Sequence, residues 1–143
     1  MKVGRAGESI IVRLEAGDDI LGSIEAACAA HNVTNAEITG LGSIESPMLA
    51  HYRMDTKKFT ERSLKGIYEV ISLTGNIGLV DGRPFAHCHV AISDADMVVH
   101  GGHLVSGACS ATLEVVIRAI EAKYHKQFDD EIGLKVWRLE ETW

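Results

Sequence analysis

The spacing of apolar positions changes several times along the chain, and each change predicts an element. Ser9 to Leu14 mixes polar and β-branched residues and reads as a first strand. Asp18 and Asp19 then supply capping side chains. Behind them Ile20, Leu21, Ile24, Ala27 and Cys28 recur at helical spacing as far as His31-Asn32, which predicts one principal helix. Val33 to Leu41 and Met48 to Met54 read as two strands separated by a connection that holds Gly42 and Pro47. The charged segment Asp55 to Lys65 leads into a further strand, Ile67 to Gly75. Asn76 to Val80 and Phe85 to Ser93 flank Asp81-Gly82, and Asp-Gly between apolar runs predicts an antiparallel hairpin, because a type I′ turn needs positive φ at both central residues. Asp94, Ala95 and Asp96 form a polar turn before the apolar Met97-Val98-Val99. Ser110 to Ile120 fits helix or strand by period, and its β-branched content favours strand. Tyr124 to Phe128, the acidic Asp129 to Glu131 and an alternating segment from Gly133 to Leu139 complete the chain. The pattern is α+β: a mainly antiparallel sheet packed with one principal helix, in a single domain over residues 1–143.

Composition supports this without redirecting it. A chain of 143 residues that is 46% hydrophobic and 24% charged is ordinary for one globular domain. No apolar run reaches the roughly 18 residues that span a bilayer, and the N-terminus lacks the apolar core of a signal peptide, so the expected location is cytoplasmic, with no membrane partner. Cys28, Cys88 and Cys109 lie among apolar neighbours without metal-type spacing and read as buried reduced thiols. The net charge of −6 opposes direct nucleic-acid binding, in which Lys and Arg displace counterions from phosphates. Lys57, Lys58, Arg62 and Lys65 cluster locally, and a hairpin with its charges in solvent accounts for them.

The chemistry concentrates in FAHCHVAISDADMVVHGGH, Phe85 to His103, where four of the seven histidines fall within nineteen residues. On a strand, alternate side chains share a face, so His87 and His89 point one way, while Ala86, Cys88, Val90 and Ile92 form a core face. The chain returns through Met97 to Val99, and the two glycines at 101 and 102 permit a close or left-handed backbone that aims His103 inward. Three histidines so placed suit a zinc ion with one position left to water, and bound water becomes a hydroxide near neutral pH. H-x-H alone is more often a pair of hydrogen-bonded or exposed residues; the nearby Gly-Gly-His brings the two readings level. His31, His51 and His125 are expected on the surface or at caps, and the direction of His100 stays open. Glu69, charged in an otherwise apolar strand, is a candidate general base or simply an exposed edge residue; Glu114 has the same character.

The runs YEVISLTGNIGL and GRPFAHCHVAISDADMVVHGGHLVSGACSATLEVVI resemble the plants and prokaryotes conserved (PPC) domain, also called the PD1-like DNA-binding domain. That family has an E-[IV]-[IL]-S-L-x-G strand, an H-x-H strand, a G-G-H-L turn and an E-V-x-[IL] strand in this order. Ile10 to Leu14, the helix from Asp18, Ile38 to Ile44 and Gly133-Leu134 fit its pattern as well. The resemblance implies a PPC-like fold in which Ser110 to Ile120 is a strand, assembly as a homotrimer, and a metal such as zinc on His87, His89 and His103. It includes no AT-hook: Gly82-Arg83-Pro84 echoes the core of one but follows Asp81 and lacks the preceding arginine, and a minor-groove arm needs flanking positive charge.

Three functions therefore stand as expectations. The first is a stand-alone, homotrimeric, zinc-binding PPC-like domain with a regulatory or DNA-associated role. The second is a small zinc-dependent enzyme that activates water on His87, His89 and His103, with Glu69 as base. The third is direct DNA binding. The small-molecule ligand, if one exists, is not legible.

Overall fold

The computed structural model describes residues 1–122 and 124–139. Strands β1 (Lys2–Ala6) and β2 (Ser9–Glu15) precede helix α1 (Ile20–Ala30), and β3 (Ala36–Arg53), β4 (Lys58–Ser63), β5 (Ile67–Val80), β6 (Arg83–Ser93) and β7 (Val99–Ala119) follow. A separate hairpin, β8 (Lys126–Asp129) and β9 (Leu134–Trp137), ends the described chain. The large sheet is antiparallel and runs β1-β2-β7-β6-β5-β3-β4, with β3 also paired to β7. That extra pairing joins β3, β5, β6 and β7 in a closed ring, and β1 and β4 remain as the outer edges of the sheet. Among the described residues, no helix is long and apolar enough to cross a membrane.

The helix forms where its spacing predicts. The Asp19 carboxylate accepts from the Gly22 N–H at 2.7 Å, and Ile20, Ile24, Ala27 and Cys28 are the buried positions. His31 is the C-cap, its N–H donating to the Ala27 carbonyl. The helix packs on β6, β7 and β2, and the Glu25 carboxylate accepts from the Ala86 N–H at 2.9 Å, satisfying a donor of β6 that has no strand beside it. Against this face lie the inward residues of each strand: Ile10, Val12 and Leu14; Ala86, Cys88, Val90 and Ile92; Leu113, Val115 and Ile117. All three cysteines are buried thiols, and burial pushes those of Cys28 and Cys88 up to about 12, far from the reactive thiolate.

The hairpin of β5 and β6 turns at Asp81 and Gly82, with φ of 50° and 76°, as a type I′ turn requires. β4 is exposed along its whole length beside β3, so its charges face solvent.

Elsewhere the structure departs from the sequence pattern. The connection through Gly42 and Pro47 is no loop: β3 is one strand of 18 residues whose register slips at Gly40/Gly42, Gly42/Ile44 and Glu45/Met48. These bulges bend the strand so that it can pair with β5 along its first half, with β4 along its second and with β7 throughout. Likewise Val99 to Ala119 is continuous, merging the Gly-Gly-His segment with Ser110 to Ile120. β1 was without a sequence signal; it is an exposed edge strand held by its hairpin with β2.

Gly42 is the tightest point of the closure. Its φ is +151°, and a Cβ there would collide with the Thr112 carbonyl oxygen and, at 2.6 Å, with the Leu113 Cα. Gly42→Ala is therefore expected to destabilise the fold by about 2 kcal/mol or more, from overpacking plus backbone strain. Gly4→Ala, where nothing lies within 4 Å, should be close to neutral. Urea unfolding of both variants checks this; equal midpoints would show that β3 and β7 are not closed at Gly42.

Candidate metal centre

Strand register builds the site on the face of the sheet away from α1. His87 and His89 are alternate residues of β6, and His89 lies directly opposite His103 of β7. On their other flank, His87 is opposite Asn76 of β5, and His103 is opposite Ala50 of β3. The three ring centroids are 5.2, 5.0 and 5.4 Å apart, and one nitrogen from each ring lies within 4.8 Å of the other two. Around a tetrahedral zinc with bonds of roughly 2.0–2.1 Å, ligand nitrogens sit about 3.3 Å apart. Small side-chain rotations close that gap, so the three imidazoles fit a metal. The face-sharing expected of His87 and His89 is realised, and His103 joins them.

Of the two backbones that the glycines of Gly-Gly-His permit, close or left-handed, the structure adopts the close one. Neither Gly101 nor Gly102 has a positive φ; both are extended residues of β7. A Cβ on Gly101 would stand 2.9 Å from the Val90 carbonyl oxygen, and one on Gly102 would stand 3.0 Å from that of Ala50. They allow β7 to run close between β6 and β3, and cross-strand pairing, rather than a hinge, delivers His103.

Burial keeps two of these rings neutral. The His87 imidazole is pushed down to about 4 by desolvation first, then by the charges of Lys126, His103 and His89. His103 is lowered for the same leading reason, with His89 and Lys126 adding to it. Neutral imidazole is the form that ligates a metal. The Phe59 ring lies 5.4 Å from that of His103, limiting its freedom on one side.

The imidazoles open into a cleft of about 660 Å³ between the sheet and the β8–β9 hairpin. Several bonds hold that hairpin in place. Tyr52 Oη donates to the Ile132 carbonyl at 2.6 Å, Lys57 Nζ donates to the Asp130 carbonyl at 2.9 Å, and Asn35 exchanges two 3.0 Å bonds with the backbone of Tyr124. Lys126, which is 8% exposed, reaches from β8 to donate to Asn76 Oδ1 at 2.6 Å, and so stands beside His87. Phe85, Lys135, Val136 and Trp137 complete this wall.

Not every candidate reaches the cleft. Glu69 is exposed opposite Ser93, at the far end of β6 from His87, and does not line it. The strand register displaces it by four residues from His89. Glu114 is exposed between Arg13 and Leu41. His100 instead meets the Asp94 carboxylate at 3.1 Å and the edge of Tyr68. His125 is exposed and bridges to Leu79, while His51 lies at the cleft, nearer the site than its place in the sequence implies. Sequence reasoning missed Lys126, Trp137 and Asn76, and nothing in their local pattern marks them, because the hairpin docks through contacts some 50 residues apart.

Several solved structures match nearly the whole chain, three of them as follows. A plant- and prokaryote-conserved (PPC) protein of Pyrococcus horikoshii is 30% identical over 99% of this chain and 96% of its own, with a TM-score of 0.86. A metal-containing protein of Archaeoglobus fulgidus is 28% identical over 96% of each chain, with a TM-score of 0.85. A Bacteroides thetaiotaomicron protein, named as a candidate DNA-binding protein, is 22% identical over 96% of each chain at a TM-score of 0.91, a likeness of fold alone. Among curated proteins none matches the chain. The model of the Plants and Prokaryotes Conserved (PCC) domain matches residues 1–121, a span that holds all three clustered histidines, and the chain belongs to that family.

Proposed function

We propose that this chain is a metal-binding PPC domain that holds zinc on His87, His89 and His103 and acts, as a homotrimer, in a DNA-associated regulatory role. The observation that carries the reading is the convergence of three imidazole nitrogens within 4.8 Å, two of the rings kept neutral by burial. The name of the Archaeoglobus fulgidus protein, metal-containing, agrees with it. Bound there, zinc would take three protein ligands and leave a fourth position open to the cleft.

Assembly has its own support. Leu41 of β3 and Ile71 of β5 both lie in the bulge between the Gly40–Leu73 and Gly42–Val70 pairs, and are 63% and 46% exposed. Val98, Val99 and Ile67 add apolar surface of the kind that copies of a chain bury against one another. The DNA association comes from the resemblance of the sequence to PD1-like DNA-binding domains, and the net charge of −6 directs it through a partner rather than through contact with phosphates.

The cleft keeps an enzymatic reading in view, since a metal with an open position at the wall of a cavity is a hydrolytic arrangement. It is the weaker reading, because no carboxylate among the described residues lines the cleft to serve as base, and Glu69 stands outside it.

Three outcomes are expected. Wild-type protein should take up one zinc per chain, and His87→Ala or His103→Ala should weaken binding by more than the roughly 10- to 100-fold that loss of an outer-shell partner costs. Metal analysis after dialysis against a zinc buffer decides it; equal zinc in wild type and both variants removes the site. The metal-free protein should lose stability as pH falls. Unfolded imidazole takes a proton near its model value of 6.5, whereas folded His87 resists protonation until about 4, so the loss accumulates between those values. Denaturation midpoints at pH 7 and pH 5 should differ less in His87→Gln than in wild type. Finally, the purified chain should show no binding to an A·T-rich duplex near 0.15 M salt. Tight binding with a steep salt slope would instead make it a direct DNA binder.

A further inference from the structure

We propose that the cleft between β6 and the β8–β9 hairpin binds a small organic anion, its ionised head held between the Lys126 ammonium and the imidazole cluster and its flat apolar body lying along Phe85 and Trp137. For the cluster wall this rests on the metal-site reading above; for the rest it rests on the charge and shape of the cleft.

The charge is the first argument. The chain carries 20 acidic against 14 basic residues, yet no Asp or Glu is among the described residues that line this cleft. Lys126, Lys135 and four histidines line it instead. Glu61, which the register sets opposite Ala50 on β4, is exposed and lies outside the lining. The sign of the local charge is thus opposite to that of the molecule.

Lys126 sharpens the point. Burying an ammonium costs several kcal/mol unless opposite charge and hydrogen bonds offset it. Among the described residues its hydrogen-bond partner is a neutral amide oxygen, Asn76 Oδ1, and no carboxylate lies within ion-pair distance. The faces of Phe85 and Trp137, 5.7 and 5.4 Å away, supply only cation–π attraction. An ammonium in a cavity wall with no acid beside it is what an anionic ligand satisfies.

The shape supplies the second argument. A volume of about 660 Å³ lies within the roughly 300–1,000 Å³ of small-molecule sites and far exceeds what an inorganic anion fills. Tyr52, Phe59, Phe85, Leu134, Val136 and Trp137 make its walls largely apolar and aromatic. A ligand complementary to both features has one charged end and a flat apolar body.

The test is calorimetric titration of the full chain, zinc-loaded and chelator-stripped, with 2-naphthoate, 2-naphthyl phosphate and the neutral 2-naphthylmethanol. On wild-type protein at least one of the two anions should bind about tenfold or more tightly than the alcohol, the size of effect expected from a charge-assisted bond. The tighter of the two identifies the head group. Lys126→Met, which keeps the aliphatic stem, should lose that preference while holding the same zinc as wild type. Equal affinity for anion and alcohol on wild-type protein overturns the proposal, and needs no variant. So does an unchanged preference in Lys126→Met. Anion binding that persists in stripped protein supports the Lys126 contact, whereas failure to take up zinc counts against the metal reading alone, so the two results separate.

Discussion

The pairing of β7 with both β6 and β3 is the constraint on which the rest of the molecule depends. It closes the sheet, gives α1 a curved inner face to cover, and brings His103 opposite His89. The closure works only because backbones approach tightly, and glycine is required where they do. Gly42 admits the backbone of Thr112 and Leu113, and Gly101 and Gly102 admit the carbonyl oxygens of Val90 and Ala50. The glycines nearest the histidines thus serve strand packing first and the site through it.

Once the register is set, the two faces of β6 divide the labour. Cys88 and its inward neighbours join a buried apolar core, and His87 and His89 stand on the outside. That outer face would be open solvent were it not roofed by β8 and β9, and the roof changes its electrostatics. Partial burial holds the imidazoles of His87 and His103 neutral, and Lys126, brought in by the roof, adds to the same effect on both. Desolvation penalises the charged form of every base it covers, so the Lys126 ammonium is itself lowered. The result is a cationic, aromatic cleft on an acidic protein, beside three imidazole nitrogens within 4.8 Å of one another.

Much of this was legible residue by residue. The Asp19 cap and the spacing of Ile20, Ile24, Ala27 and Cys28 specified α1 through interactions within one turn. Asp81-Gly82 specified its turn because positive φ is a local property. Alternation along β6 put His87 and His89 on one face without reference to any other strand. Where the reading faltered, the deciding contact was distant. Gly42 and Pro47 look like a loop because glycine and proline usually interrupt strands; here bulges absorb them, since β5, β4 and β7 all pair with the same bent segment. Glu69 was open between a general base and an exposed edge residue within its own strand, and only the register with Ser93 shows how far along the sheet from the histidines it stands.

Local periodicity, turn chemistry and the order of motifs determined that the chain is an antiparallel α+β domain of the PCC family with a pair of histidines on one strand face, because each of those features is set by residues a few positions apart. How His103, which Gly-Gly-His had already marked, is carried to the pair, which lysine enters beside them and whether the face is open or roofed were decided by the tertiary structure. His89 and His103 are fourteen positions apart and Asn76 and Lys126 fifty, and no local period carries information about pairs joined only when a sheet closes on itself.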